Sequence, residues 1–382
     1  MRVGILRTIP GFSFSMDVYA DGLVRGLKTV HPDWEIIEFT PQVDLSAGNK
    51  NAVQRGLEKY YERYWRYPKS LKNQNVDMFH IIDHSDGHLL YWLRNWDTPT
   101  VITCHDLINW VQPDTFKGKA LLPAVSMATW KFAVKGIESA DHVVSVSAHT
   151  EKDIVNYLDV PSERVTVVPN AVESVFCQLE PQVVATFRTE IGLSEETFCL
   201  LNVGSNNLRK NVSSALKLTA ELNAKGVPIC FLKTGADFSA EQTAFIEKNG
   251  IADKTRYLGK PDQETLIKIY NAADVLIAPS TYEGFGLTVL EAMACGTPVI
   301  TSNVTSLPEV AGDAAILVGP MDIEGMVEGA IRLYESVEVR DRFTQQGLNR
   351  VKSFTWEKTA EQVASVYQNI RQSCLPQTVG VK

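Results

Sequence analysis

"DVLIAPSTYEGFGLTVLEAMACGTPVITSN", residues 274–303, is the stretch on which the fold turns. "DVLIAPS" is an apolar run of the length of a buried strand, and "TYEGFG" is a tight turn. "LTVLEAMAC" has helical spacing and is stopped by Gly296, after which a second Val/Ile run fills 298–302. Strand, helix and strand in 30 residues is the repeating unit of a parallel sheet, because parallel strands need a crossover and a helix supplies it.

The same alternation runs along the whole chain. Strands are expected at 2–8, 34–40, 78–82, 99–104, 142–147 and 165–168, and again at 198–204, 228–234, 255–258, 275–279, 298–302 and 314–318. The strand pattern breaks after Pro169-Asn170 and resumes at Phe198, which places a domain boundary there. At 382 residues the chain accommodates two full cores. The expected fold class is therefore α/β, with two doubly wound Rossmann-like domains facing across a cleft. Residues 1–172 form the first, 173–356 the second, and a C-terminal helix at about 357–382 packs back on the first. Ligands of such sheets lie at the carboxyl ends of strands, so motifs that follow strands are the ones to weigh.

Residues 280–303 contain two glutamates, Glu283 and Glu291, and no basic residue. Eight helical positions would rise about 12 Å, more than the roughly 5–9.5 Å between the carboxyl groups of a glycoside hydrolase. Gly284 and Gly286 let a ligand approach the backbone, and the first N–H groups of the helix, near Leu287 and Thr288, are free to bind an anion. Two carboxylates flanking an anion site suit an elongated ligand with hydroxyls at both ends and phosphate between, as in a nucleotide sugar. Taken alone, Glu291 also reads as a solvated helix residue and Glu283 as a capping residue. The cation a diphosphate needs comes from "FCLLNVGSNNLRKN", where a strand ends at Gly204 and a polar loop carries Arg209 and Lys210. That basic pair alone could equally be a solvated helix start.

Together "VGSNNLRKN", "YEGFGLTVLEAMACGTPVI" and "SLPEVAGDAAILVGPMD" closely resemble family four of the retaining glycosyltransferases, which have the two-domain GT-B fold. The resemblance extends through "VITCHDL", "SADHVVSVSAHTEKDI" and "RVTVVPNAV". It implies that Arg209 and Lys210 hold the donor diphosphate, that Glu291 holds the ribose, and that Glu283 with the backbone of Gly284, Phe285 and Gly286 holds the transferred sugar. The implied reaction retains anomeric configuration, needs no metal and no cofactor, and uses a nucleoside-diphosphate sugar, UDP- or GDP-linked, as co-substrate. The acceptor is a saccharide or lipid-linked saccharide. A sugar-nucleotide epimerase of the same fold and a non-catalytic nucleotide-sugar sensor are the competing functions.

In the first half, "VITCHDL" ends a strand at His105, which resembles the histidine that family members place beside the transferred sugar. A histidine simply hydrogen-bonded at a strand end is the plainer reading. The loop after the first strand, "RTIPGFSFSMDVY", has Gly11 followed by Phe12 and Ser13 where the family often has a glycine pair; Gly11 is kept as an acceptor-side contact. His80, His84 and His88 are spaced by four, but "DMFHII" reads as a strand and Ser85-Asp86-Gly87 as a turn, so no metal site is expected.

Net charge −8 argues against a nucleic-acid partner. Residues 50–72 depart from that balance with seven Lys or Arg against two Glu, and Leu57, Tyr61, Tyr64 and Trp65 at helical spacing before Pro68 ends the run. Such a helix suits an anionic membrane surface; packing of the aromatic stripe on its own domain is the alternative. Six scattered cysteines, no signal-peptide core and no apolar run of about 20 residues point to a cytoplasmic protein, soluble or peripheral on the membrane.

Overall fold

The computed structural model describes residues 1–9, 11, 14–42, 52–113 and 123–374. Phe12, Ser13, Lys50 and the tail 375–382, all part of the reading above, lie outside the described residues. Two compact units are present: Met1–Ala171 together with the chain from Trp356 onward, and Val172–Thr355.

In the first unit β1 (Arg2–Leu6), β2 (Glu35–Phe39), β3 (Met78–Ile81), β4 (Thr100–Cys104), β5 (His142–Ser145) and β6 (Val165–Val167) form one sheet in the order β2-β1-β3-β4-β5-β6. In the second, β7 (Phe198–Gly204), β8 (Ile229–Gly235), β9 (Thr255–Tyr257), β10 (Val275–Ala278), β11 (Val299–Ser302) and β12 (Ile316–Val318) take the order β12-β11-β10-β7-β8-β9. All pairings are parallel. Every apolar run singled out in the sequence is a strand, most of them a residue or two shorter than expected. Just past β1 the Arg7 N–H still bonds to the Phe39 carbonyl at 2.9 Å, and its guanidinium pairs with Asp21 at 2.7 Å and Glu38 at 2.8 Å.

Both faces of each sheet are covered, which is why the strands read as nearly continuous apolar runs. In the first unit Val3 and Ile5 point into one core with Leu23, Leu27 and Tyr367, while Leu6, Phe79 and Ile102 point into another. Strand order reverses between β1 and β3 in the first sheet and between β7 and β10 in the second. Those two positions are where open parallel sheets offer a crevice to ligands.

The helix Trp356–Cys374 packs on the helix Phe14–Val30 through glycines. A Cβ on Gly22 would sit 2.0 Å from the Trp356 ring, and one on Gly26 would sit 2.5 Å from the Trp356 carbonyl oxygen. Tyr367, fully buried, meets His80 Nδ1 at 2.5 Å, and His80 Nε2 meets the Thr103 hydroxyl at 2.7 Å, so His80 is a core residue.

Two local expectations need correction. Pro68 does not end the helical run: Ala52–Tyr61 is α-helical, Glu62–Arg66 is a π-turn, and Tyr67–Ser70 continues with Pro68 in its first turn. A proline lacks only a donor that the start of a new helical segment leaves unused, and the widened turn ahead of it relieves its ring. Likewise Ser85-Asp86-Gly87 is not an isolated turn but part of a 3₁₀ helix, His84–Leu89, started by the Asp83 carboxylate accepting from the Ser85 N–H at 2.8 Å. Among the described residues no group of three His, Cys, Asp or Glu is arranged to hold a metal ion, and no helix is long and apolar enough to cross a membrane.

Candidate active site

In the second unit the loops after β7 and β10 meet at the strand-order reversal. β7 ends at Gly204, whose φ of +124° only glycine adopts readily, and a Cβ there would lie 3.6 Å from the Lys210 side chain. The loop then forms a 3₁₀ turn, Leu208–Lys210, capped by the Asn207 side chain. Asn211, left-handed at φ +51°, starts the helix Val212–Ala224 and donates from Nδ2 to the carbonyls of Pro279 at 3.0 Å and Pro320 at 2.6 Å. One amide thus pins three loops together.

This geometry aims both cations at one carboxylate. Arg209 Nη1 lies 2.6 Å from Glu283 Oε2, and Lys210 Nζ lies 2.7 Å from Glu283 Oε1. Ser280 adds a hydroxyl donor at 2.7 Å. Burial pushes the Glu283 carboxyl up, but Lys210 and then Arg209 outweigh it and hold the group down at about 2. Glu283 is therefore a permanent anion near neutral pH, able to accept hydrogen bonds and unable to donate one. Its own N–H donates to Thr305 Oγ1 at 3.1 Å, and Thr305 is a β-branched residue at φ +56°, a conformation that costs about 1–3 kcal/mol and must be held by its surroundings. Ser306 Oγ closes the turn, its single proton shared between the carbonyls of Glu283 at 2.9 Å and Phe285 at 2.7 Å.

Gly286, at φ +124°, precedes the helix Leu287–Ala294. The Val289 N–H is used by the Gly286 carbonyl at 3.0 Å. Leu287 and Thr288, partly exposed, occupy the first turn, where no intrahelical carbonyl reaches their N–H groups. Four residues beyond Leu287, Glu291 accepts from the buried Tyr270 hydroxyl at 2.7 Å, and burial raises its pKa. A third cation stands behind the first two. Lys233 in β8 is fully buried, donates to the carbonyls of Gly204 at 2.7 Å and Thr234 at 2.6 Å, and is lowered to about 8 by burial and then by the neighbouring charge of Lys210.

The structure thus brings Arg209, Lys210 and Glu283 into direct contact, with Gly204 beside the Lys210 side chain, Gly284–Gly286 in the turn after Glu283, and Leu287, Thr288 and Glu291 in the helix that follows. It adds Lys233, Asn211, Ser280, Thr305, Ser306 and Tyr270, which the sequence reading missed. The lysine inside the apolar run "ICFLKTG" was the signal available in the sequence; the positive φ of Asn211 and Thr305 is visible only in the structure.

His105 and Gly11 belong to the first unit. His105 follows β4, is buried, donates from Nε2 to the Ile82 carbonyl at 2.8 Å, and stands edge-on to Tyr19 with ring centroids 4.7 Å apart. Burial lowers its pKa, so the ring stays neutral with its proton on Nε2 and an acceptor lone pair on Nδ1. Gly11, at φ +74°, donates its N–H to Asp17 at 2.9 Å, so that group is already engaged.

Comparison with known proteins gives two family matches: residues 21–175 match the model described as Glycosyltransferase Family 4, and residues 184–350 the one described as Glycosyl transferases group 1. The chain is 30% identical over 238 residues to the O-antigen chain mannosyltransferase B of Escherichia coli, covering 61% of this chain and 62% of that protein. It is 25% identical over 320 residues to the serotype-specific mannosyltransferase WbdA of the same species, covering 80% of this chain and 38% of that one. The chain therefore spans less than two thirds of either relative. HepE of Anabaena in complex with UDP-glucose shares the fold, with a TM-score of 0.75 at 15% identity over 97% of this chain and 100% of that one.

Proposed function

We propose, since this chain belongs to the group 1, family 4 glycosyltransferases, that it transfers a hexose from a nucleoside-diphosphate sugar to a hydroxyl of a saccharide or lipid-linked saccharide, with retention at the anomeric carbon. The observation that carries the reading is the bracket of Arg209 and Lys210 on Glu283 beside the open first turn at Leu287, at the strand-order reversal of the second sheet. A diphosphate at that turn receives backbone N–H groups from Leu287 and Thr288 and charge from Arg209 and Lys210. Glu291 accepts from the ribose hydroxyls and Glu283 from those of the hexose. In the reaction the bond from the anomeric carbon to the phosphate oxygen breaks, the acceptor oxygen takes its place on the same face, and the acceptor proton passes to the departing phosphate. The cations stabilise the negative charge that grows on that phosphate. His105, neutral and fixed through Nε2, has the role of orienting hexose and acceptor through Nδ1.

The mannosyltransferase relatives favour a mannosyl donor and a growing polysaccharide chain as acceptor, while the UDP-glucose complex of HepE favours a UDP sugar; the donor base remains UDP or GDP. A membrane-held acceptor would be met through the basic, aromatic segment 50–72, on a protein working in the cytoplasm. A thermal-shift screen with UDP, GDP, ADP and their hexose conjugates tests the donor site. A ligand at a hundredfold excess over its Kd should add about 2.7 kcal/mol of stability. With the donor so identified, Lys210→Ala should cut transfer by about 2–4 kcal/mol of transition-state stabilisation. No shift with any nucleotide, or a Lys210→Ala enzyme with wild-type rate and donor affinity, overturns the assignment.

A further inference from the structure

Within β8, "ICFLKTG", a lysine stands where the strand is otherwise apolar, and Lys233 is completely buried. Burying an ammonium is costly unless its partners offset the lost hydration, and both of its hydrogen bonds go to neutral carbonyls, Gly204 at 2.7 Å and Thr234 at 2.6 Å. A residue that breaks the local pattern at such a cost points to a functional demand.

The demand is visible one strand away. Gly204 ends β7, and its carbonyl oxygen also accepts the Ala236 N–H at 3.0 Å and leaves no room for a Cβ on Gly235. The end of β8 therefore closes on this one oxygen. Against the same glycine lies Lys210, whose side chain would be 3.6 Å from a Cβ on Gly204 and whose ammonium reaches Glu283 at 2.7 Å. We propose that Lys233 is a positioning residue for the donor diphosphate: as an ammonium it clamps the Gly204 carbonyl, which seats Lys210 beside the anion site, and its charge adds to that of Lys210 from behind. Being fully buried, it acts through Gly204 and Lys210 without touching the ligand. The proposal deepens the glycosyltransferase reading and rests on its donor site.

A pH dependence of donor binding follows. Burial and then Lys210 lower the Lys233 ammonium to about 8, against the pull of Asp237 in the loop after β8. The other groups around it are settled. Glu283 is ionised throughout, and Tyr257 of β9 donates its hydroxyl to the Gly235 carbonyl at 2.8 Å. Asp253 and Lys254, just ahead of β9, pair with each other at 2.8 Å, and the buried side of the helix Val212–Ala224, packed on β8, is uncharged. A bound diphosphate favours the ammonium form, so affinity is full below about pH 8 and declines as pH rises through it. If only the ammonium form binds, the decline from pH 7 to pH 9 is about tenfold.

The test is isothermal titration calorimetry of the full chain with UDP-glucose and with GDP-mannose between pH 7 and pH 9, where a diphosphate diester keeps a constant charge. The wild-type Kd for the nucleotide sugar that binds should rise about tenfold over this range. Lys233→Met, unbranched and uncharged, should bind about tenfold more weakly at pH 7 and show a flat profile. Asp237→Asn, at an exposed position, should move the midpoint of the profile to lower pH. A flat wild-type profile, a Lys233→Met profile that follows the wild type, or a midpoint that Asp237→Asn leaves in place overturns the proposal. Absence of binding by both nucleotide sugars at every pH overturns the donor-site reading, and the role of Lys233 with it.

Discussion

Glu283 is the residue around which the proposed donor site is organised, and its partners could not be read from local sequence. Seventy-three positions separate Lys210 from Glu283, and their meeting depends on β7 lying beside β10, an order that apolar periodicity does not encode. The glutamate's motif was legible; its duty as counter-ion to both cations was not. That duty has a measurable sign. The native carboxyl sits at about 2, below its ordinary value near 4.5, so the stabilisation is fully present above that ordinary value and disappears as pH falls toward 2. Glu283→Gln leaves Arg209 and Lys210 without their shared anion and should cost about 3 kcal/mol at pH 7, the scale of a broken buried ion pair. Urea unfolding of wild type and variant at pH 7 and pH 3 checks this: the gap should narrow markedly in acid. An equal gap at both would mean that Lys210 and Arg209 do not hold the carboxylate ionised.

At the scale of elements, strands were read correctly because both sheet faces are buried and each strand is an unbroken apolar run bounded by turn residues. Helix details were harder. The π-turn at Glu62–Arg66 carries Pro68 into a continuing helix, and no local signal distinguishes that from a stop. The glycines of "ADGLVRGLK", on which the sequence analysis is silent, are the contact surface for Trp356. Gly22→Ala would place a methyl group 2.0 Å from that indole, which cannot be accommodated without moving one helix off the other. The expected cost is about 1–3 kcal/mol, as for other overpacked cores. Amide hydrogen exchange gives the readout: protection along Trp356–Cys374 should fall roughly tenfold or more, with the strands of the second unit unaffected. Unchanged protection in that helix would show that its docking does not depend on the glycine contact.

For the molecule as a whole, charge is distributed so that one segment opposes all the rest. The chain carries −8, yet residues 50–72 carry +5, which leaves −13 elsewhere (−8 − 5). The helix that begins at Ala52 serves two faces. Arg63 and Tyr64 turn inward toward Asp86 and His88, while Leu57 (67% exposed), Tyr61 (56%) and Trp65 (47%) recur every four residues on the outside beside the half-exposed Tyr60, with Lys69 Nζ 4.4 Å over the Trp65 ring. Self-packing accounts for Arg63 and Tyr64, whereas membrane contact by the outward row is an expectation to be tested. An exposed apolar row flanked by cations is complementary to an anionic bilayer, each cation near the surface contributing about 1 kcal/mol, and acidic surface elsewhere would keep other faces of the protein off the lipid. The expected result is sedimentation with vesicles of phosphatidylcholine containing one third phosphatidylglycerol at low salt, release at high salt as the Debye length shrinks from about 10 Å at 0.1 M toward 3 Å at 1 M, and no sedimentation with phosphatidylcholine alone. Trp65→Ala should weaken binding to the anionic vesicles while leaving the nucleotide thermal shift in place, because that half-exposed ring lies in the first unit and the nucleotide is proposed to bind the second. Absence of sedimentation with anionic vesicles at every salt concentration would remove the membrane from the account, and the outward row would then need a protein partner to cover it.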